Sequence, residues 1–99
     1  MKRALMLIAL LATAANAATI RGKVTFPNGA PCPGVAAKAA DAANHETTTA
    51  YTDRDGMYYI HDVPPGRYTV VVTKGRTTQK VAVVVTSAPY ADAATVPVQ

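Results

Sequence analysis

Two turn sequences and three strand-like runs follow one another between Tyr51 and Val72, and this stretch restricts the fold more than any other part of the chain. The first turn, Asp53-Arg54-Asp55-Gly56, combines aspartates that accept tight-turn geometry with a glycine that can adopt a positive φ. The second turn is Pro64-Pro65-Gly66. Behind each turn, apolar residues occupy every second position, as in half-buried strands: Tyr58 and Ile60, then Tyr68, Val70 and Val72. We therefore expect an all-β chain folded as an antiparallel β-sandwich.

The N-terminus has the pattern of a signal peptide. Lys2 and Arg3 precede an apolar run of nine residues, 4–12, and Ala15 and Ala17 place small residues where a signal peptidase requires them. The pattern predicts cleavage after Ala17 and export to the periplasm or the exterior. Because a membrane-spanning helix needs about 20 apolar residues, we expect no stable membrane insertion.

Residues 18–99 are expected to form one domain with a small core. Without Lys2 and Arg3 the chain keeps eight basic and six acidic residues, and the basic ones are scattered singly along the alternating segments. This distribution is typical of solvated sheet surfaces and not of a nucleic-acid patch, so no nucleic-acid partner is expected.

Cys32 is the single cysteine, so no internal disulfide can form. In an exported chain such a residue is a buried thiol, half of an intermolecular disulfide or a reactive site. A small half-buried thiol is the favoured role, and the sequence does not decide among the three.

Seven strands are expected after the leader. In the first, Ile20, Gly22, Val24 and Phe26 should face the core, and Arg21, Lys23 and Thr25 should face solvent. Pro97 cannot donate to a sheet ladder, so the last strand should lie at an edge. The expected strands are about 19–26, 35–41 and 47–52, two in the stretch that ends at Val72, 81–86 and 95–98.

The turn and strand motifs together resemble the carboxypeptidase regulatory-like domain family. The resemblance covers roughly residues 19–98 and implies a seven-stranded, Greek-key, transthyretin-like (prealbumin-type) sandwich of the carbohydrate-binding-like grouping. It also implies an accessory role beside another protein or a ligand. The motifs are Gly22-x-Val24, Gly29-x-Pro31 with Gly34-Val35, Thr52-Asp53-x-Asp55-Gly56-x-Tyr58-x-Ile60, and Val63-Pro64-Pro65-Gly66-x-Tyr68-x-Val70-x-Val72.

The sequence contains no motif that would activate a nucleophile or hold a cofactor. Asp53 and Asp55, with Asp62, could offer oxygens to Ca²⁺, but the further ligands of a calcium loop are missing and a turn is favoured. His45 and His61 have no His or Cys at metal-ligand spacing. We therefore predict a protein that is not an enzyme, with no catalytic residue, no cofactor and no metal.

Four residues are candidates for an interaction surface. Tyr51 and Tyr59 could form a small aromatic platform for a glycan, but ordinary cross-strand packing is the favoured explanation of these rings. Val71 and Val84 alternate with inward positions and should point outward, as in an apolar contact face. The expected partner is another envelope or extracellular protein, or a glycan. The sequence does not specify the oligomeric state. For Tyr68, it predicts a ring that packs in the core and a hydroxyl that reaches a loop backbone.

Overall fold

A computed structural model describes residues 17–98, and within them the chain is all-β with no helix. The predicted leader, except for Ala17, lies outside the described residues. No segment of residues 17–98 is a helix able to cross a membrane. The strands are β1 (Ala18–Thr25), β2 (Ala36–Ala40), β3 (Ala50–Tyr51), β4 (Met57–Val63), β5 (Gly66–Lys74), β6 (Thr77–Val85), β7 (Tyr90–Asp92) and β8 (Val96–Pro97).

Two sheets of four strands face each other. In the first sheet, β1 lies between β4 on one side and β7 and β8 on the other; in the second, the order is β3-β2-β5-β6. The strand that contains Pro97 pairs with β1 and lies at an edge, as predicted.

The prediction of seven antiparallel strands is wrong in two respects. The described residues form eight strands, because Tyr90–Asp92 is a strand that the sequence did not suggest. In addition, β7 and β8 both pair parallel to β1, so the first sheet is mixed. Three residues are too few for periodicity to reveal a strand. Whether β7 and β8 pair parallel or antiparallel to β1 depends on the path of the chain that connects them.

The core follows the predicted alternation in β1, β4 and β5, with local exceptions. Phe26 lies beyond the end of β1 and is 36% exposed, whereas Thr25, expected to face solvent, is buried. The largest fully buried side chain is Tyr58. Other fully buried residues come from both sheets and their connections: Ile20, Val24, Cys32, Val35, Ile60, Val63, Val70, Val72 and Val98.

The segment predicted as a strand over 47–52 is a strand only at Ala50–Tyr51, because threonine hydroxyls replace part of its backbone ladder. The Thr47 hydroxyl accepts a hydrogen bond from the Ala39 N–H at 3.0 Å. The buried Thr52 hydroxyl accepts one from the Val35 N–H at 2.9 Å and donates one to the Cys32 carbonyl at 2.7 Å. These bonds attach the segment to β2 and to the chain before it.

The turn between β3 and β4 is built as the sequence predicts. One Asp53 carboxylate oxygen accepts the N–H groups of Asp55 and Met57 at 2.9 and 3.0 Å. Gly56 has φ +76°, and a Cβ there would lie 2.5 Å from the Val24 carbonyl oxygen. Glycine is therefore required both for the turn and for its close contact with β1.

Candidate functional site

The outer surface of the first sheet collects exposed aromatic rings around one arginine. In β1 the inward residues alternate with Thr19 and Arg21, which face solvent. Arg21 lies opposite Tyr59 of β4 and opposite Asp92 of β7, and Thr19 lies opposite Tyr90. Directly paired residues project to the same side of a sheet. We call the surface formed by Arg21, Tyr59, His61, Tyr90 and Asp92 the aromatic face.

Arg21 is held in place from two sides. Its Nε donates a short hydrogen bond to Asp92 Oδ1, and its guanidinium carbon lies 4.3 Å from the centre of the Tyr90 ring. The hydrogen bond raises the pKa of Arg21 and lowers the pKa of Asp92, since it favours the charged form of each partner. Because both side chains are exposed to solvent, the pair orients the guanidinium more than it stabilises the fold.

Tyr59 and His61 stand side by side on β4. Their ring planes differ by 7° and their centroids are 6.4 Å apart, which is the spacing of residues i and i+2 on one face of a strand. His61 Nδ1 is 3.1 Å from the Thr19 hydroxyl, so the imidazole is anchored to β1. A β-bulge places His61 and Asp62 opposite Thr19, and Asp62 adopts φ +61° within it.

A groove of about 510 Å³ opens at the end of the sandwich next to His61. Its walls are the segment after β2 and the turn after β4. In it, the Asp41 carboxylate accepts the N–H groups of Ala43 and His45, both at 2.9 Å. These hydrogen bonds lower the pKa of Asp41, and the one from the His45 N–H has the largest effect. The remaining lining residues are Glu46, Thr47, Thr48, His61, Asp62, Pro64 and Tyr68.

The groove is polar, but its side chains do not form a metal centre. His45 Nδ1 lies 3.3 Å from Asp41 Oδ2, whereas His61 is bonded to Thr19. Within residues 17–98 there is no group of three or more His, Cys, Asp or Glu side chains that could hold a metal ion. Asp53 uses its carboxylate to close the turn between β3 and β4.

The position predicted for Tyr68 is correct for its hydroxyl but not for its ring. Its hydroxyl donates a hydrogen bond to the Pro64 carbonyl at 2.8 Å, so it reaches the loop backbone as expected. The ring, however, is only half-buried and packs against the margin of the core. The tyrosine inside the core is Tyr58, whose hydroxyl has no hydrogen-bond partner among residues 17–98; burial raises its pKa to about 12.

The structure separates the two tyrosines proposed as a platform. Tyr59 lies on the aromatic face, whereas Tyr51 pairs with Ala36 in the second sheet and projects from that sheet's outer surface. The two outer surfaces point away from each other, so a joint Tyr51–Tyr59 platform is not formed. Tyr51 instead shares a shallow depression of about 250 Å³ with Lys38, Val71 and Thr73.

The two predicted outward valines lie on one surface but not in one apolar patch. Val71 is half-buried between Lys38 on β2 and Lys80 on β6. Val84 is 58% exposed and lies opposite Arg67. These charged neighbours interrupt the expected apolar face.

Four residues of the aromatic face, Arg21, His61, Tyr90 and Asp92, are not among the interaction residues that the sequence predicts. In the sequence, Arg21 is one of several scattered basic residues, and 71 positions separate it from Asp92. The available signal was the alternation of Tyr90 and Asp92 around the buried Ala91 in the short segment after Pro89. Cys32, whose role was left open, is a fully buried free thiol.

Comparison with known proteins agrees with this architecture. No curated protein matches the chain. Among solved structures, the fold is similar to that of 3-chlorocatechol 1,2-dioxygenase from Rhodococcus opacus 1CP, with a TM-score of 0.53 and 14% sequence identity. The match covers 80% of this chain and 58% of the dioxygenase chain, and at this identity it concerns the fold alone.

The family model of the carboxypeptidase regulatory-like domain matches residues 19–98, which is nearly the whole of the described structure. The two turn motifs that carried the resemblance are formed in the structure by Asp53–Gly56 and Pro64–Gly66. The chain belongs to the carboxypeptidase regulatory-like domain family.

Proposed function

We propose that this domain is an exported, non-enzymatic binding module that contacts another envelope or extracellular protein through its aromatic face. The observation that carries the proposal is the grouping of Tyr59, His61 and Tyr90 around Arg21 on one exposed sheet surface. Tyrosine and arginine are the side chains that most often dominate the energy of protein interfaces, since they combine apolar area with hydrogen bonding.

Preorganisation also favours this face. The Arg21 guanidinium is already held by Asp92 and Tyr90, and the His61 ring is bonded to Thr19. Side chains fixed before binding lose less conformational entropy when a partner arrives. The rings project from a sheet whose inner side is packed into the core, which keeps their spacing constant.

The non-enzymatic part of the proposal rests on the roles of the polar side chains. The Asp41 carboxylate accepts backbone N–H groups of the segment after β2, and the Asp53 carboxylate accepts those of the turn before β4. The Asp92 carboxylate binds Arg21. The buried Thr52 hydroxyl connects two backbone groups, and the Cys32 thiol is fully enclosed. These contacts are structural, and none pairs a nucleophile with a base.

Site-specific photocrosslinking in living cells tests the proposal. A photoreactive phenylalanine analogue is placed at Tyr59, at Tyr90 and, as the matched control, at Tyr51, which is an exposed tyrosine on the opposite surface. We expect a common protein adduct from positions 59 and 90 that position 51 does not give, and we expect Arg21→Ala to reduce its yield. Adducts from position 51 alone, or equal adducts from all three positions, would reject the aromatic face.

A glycan is the second candidate ligand, favoured by the position of the Arg21–Asp92 pair next to Tyr90. An exposed ring can cover the apolar side of a sugar while a charged pair binds its hydroxyl groups. Glycan-array binding that is lost in Tyr59→Ala/Tyr90→Ala and kept in Tyr51→Ala would support it. Array binding, together with an absence of protein adducts at positions 59 and 90, would show that the ligand of the aromatic face is a glycan and not a protein.

A further inference from the structure

β6 is a long free edge of the second sheet. Its nine residues, Thr77–Val85, pair with β5 without interruption, and among residues 17–98 no strand pairs with its other side. An edge of this kind presents a row of unpaired backbone N–H and C=O groups that can bind another strand.

The other edges of the sandwich are short or interrupted. β3 has two residues, and β7 and β8 have three and two, with Pro97 in the last. β4 contains the bulge at His61 and Asp62, and Pro64 and Pro65 follow it. Bulges, prolines and short strands prevent edge pairing. β6 has none of these features, and Lys80 is its single charged residue.

The side chains along β6 leave an uncovered margin on the core side. Val83 and Val85 are buried, but Val81 is only half-buried, and Gln79 is exposed although it lies opposite the buried Val72. The core-facing side of β6 is thus incompletely covered within one copy of the domain, next to the free edge.

A second copy of β6 fits this edge. The antiparallel register that pairs all nine residues places a two-fold axis at Val81, so that Val81 faces its own equivalent. Lys80 then lies opposite Ala82 of the second copy, and Thr78 lies opposite its Val84. No like charges are directly opposed, and the half-exposed valines cover each other across the axis.

We propose that two copies of the domain associate through antiparallel β6–β6 pairing, which joins their β3-β2-β5-β6 sheets into one continuous sheet. The proposal does not depend on the aromatic face, which belongs to the other sheet. An isologous contact of this type is self-complementary and closes at the dimer.

Opposite charges at position 82 provide the test. Ala82 is exposed on the outer side of β6, so the domain should keep its fold with a longer side chain there. Ala82→Lys places a lysine opposite Lys80 of the second copy, whereas Ala82→Glu places a carboxylate there. Both contacts occur twice in a two-fold dimer. Sedimentation equilibrium of the purified protein should show a dimer that Ala82→Lys weakens and Ala82→Glu tightens, each by about tenfold in Kd at low salt.

The matched control is Thr69, which is exposed on the same outer surface but one strand away from the edge, directly opposite Ala82. Thr69→Lys and Thr69→Glu should leave Kd nearly unchanged, and circular dichroism checks that all four variants are folded. Equal effects at positions 69 and 82 would mean that copies meet face to face, and would overturn the proposal. So would a monomer at about 1 mM, or a dimer that is insensitive to the charge at position 82.

Discussion

The ring of Tyr58 lies directly over Gly22, the residue opposite it across β1 and β4. A Cβ at position 22 would lie 2.5 Å from Cζ and 2.8 Å from Cε2 of the ring. The space that a side chain would occupy at Gly22 is therefore filled by the largest buried side chain of the domain. The two residues are complementary in size: the absence of a side chain at Gly22 provides the space that the Tyr58 ring occupies.

Gly22→Ala should destabilise the domain. The added methyl group must displace a ring that is enclosed on all sides, and such overpacking lowers the free energy of unfolding by about 1–3 kcal/mol. Urea unfolding measures the change. The control is the same substitution in a Tyr58→Leu background, where the smaller side chain leaves room. An equal loss in both backgrounds would show that the ring is not its cause.

Tyr58→Phe should flatten the loss of stability in alkali. Burial raises the pKa of Tyr58 from 10.0 to about 12, so the folded state retains the proton that the unfolded state loses. Ionisation of this group therefore leaves stability unchanged below pH 10 and lowers it by about 2–3 kcal/mol as the pH rises from 10 to about 12, a loss that phenylalanine avoids.

At neutral pH, Tyr58→Phe should be at least as stable as the natural protein, because it removes a buried hydroxyl that has no partner in the described part of the chain. Urea unfolding at a series of pH values from neutral to alkaline distinguishes these effects. A variant that loses stability in alkali as steeply as the natural protein would assign that loss to other groups.

Tyr68→Ala should destabilise the domain more than Tyr59→Ala. Tyr68 packs against the core and donates a hydrogen bond to Pro64, whereas the Tyr59 ring is 41% exposed. Since the Tyr68 ring is only half-buried, the loss should stay below the 3–5 kcal/mol that is typical of an enclosed ring. Tyr68→Phe isolates the hydrogen bond, about 1 kcal/mol. Similar melting temperatures for the two alanine variants would contradict the assignment.

Asp53→Ala should weaken the turn between β3 and β4, while Asp53→Asn should largely preserve it. Aspartate accepts two backbone N–H groups there, and an asparagine side-chain oxygen can accept the same pair. We expect a loss of about 1–2 kcal/mol for alanine. Added Ca²⁺ should leave the melting temperature of the natural protein unchanged, and a rise that disappears in Asp55→Asn would restore the calcium hypothesis.

The protein recovered from the cell envelope should begin at Ala18. Cleavage after Ala17 would leave the whole of β1 in the mature chain, including Ala18, which is buried and pairs with Val63. N-terminal sequencing tests this, and a chain that still begins with Met1 would reject the predicted leader. Arg3→Glu offers an independent check, because a signal peptide needs a positive start.

Local chemistry determined the parts of the fold that the sequence predicts well. The turn at Asp53–Gly56 follows from side-chain hydrogen bonding and from a glycine with positive φ, and β1, β4 and β5 lie close to the segments that alternation marks. These features depend on residues within a few positions of each other, so a single sequence contains the information needed to place them. The family motifs are made of the same turns.

The tertiary structure alone decided which side chains share a surface. Tyr51 and Tyr59 are eight positions apart but belong to different sheets, whereas Arg21 and Asp92 are 71 positions apart and form an ion pair. The parallel return of the three-residue β7 beside β1 creates that contact, and no local pattern specifies it. Alternation identifies the side of a strand that a residue occupies, but only the order of strands in the sheets determines its neighbours.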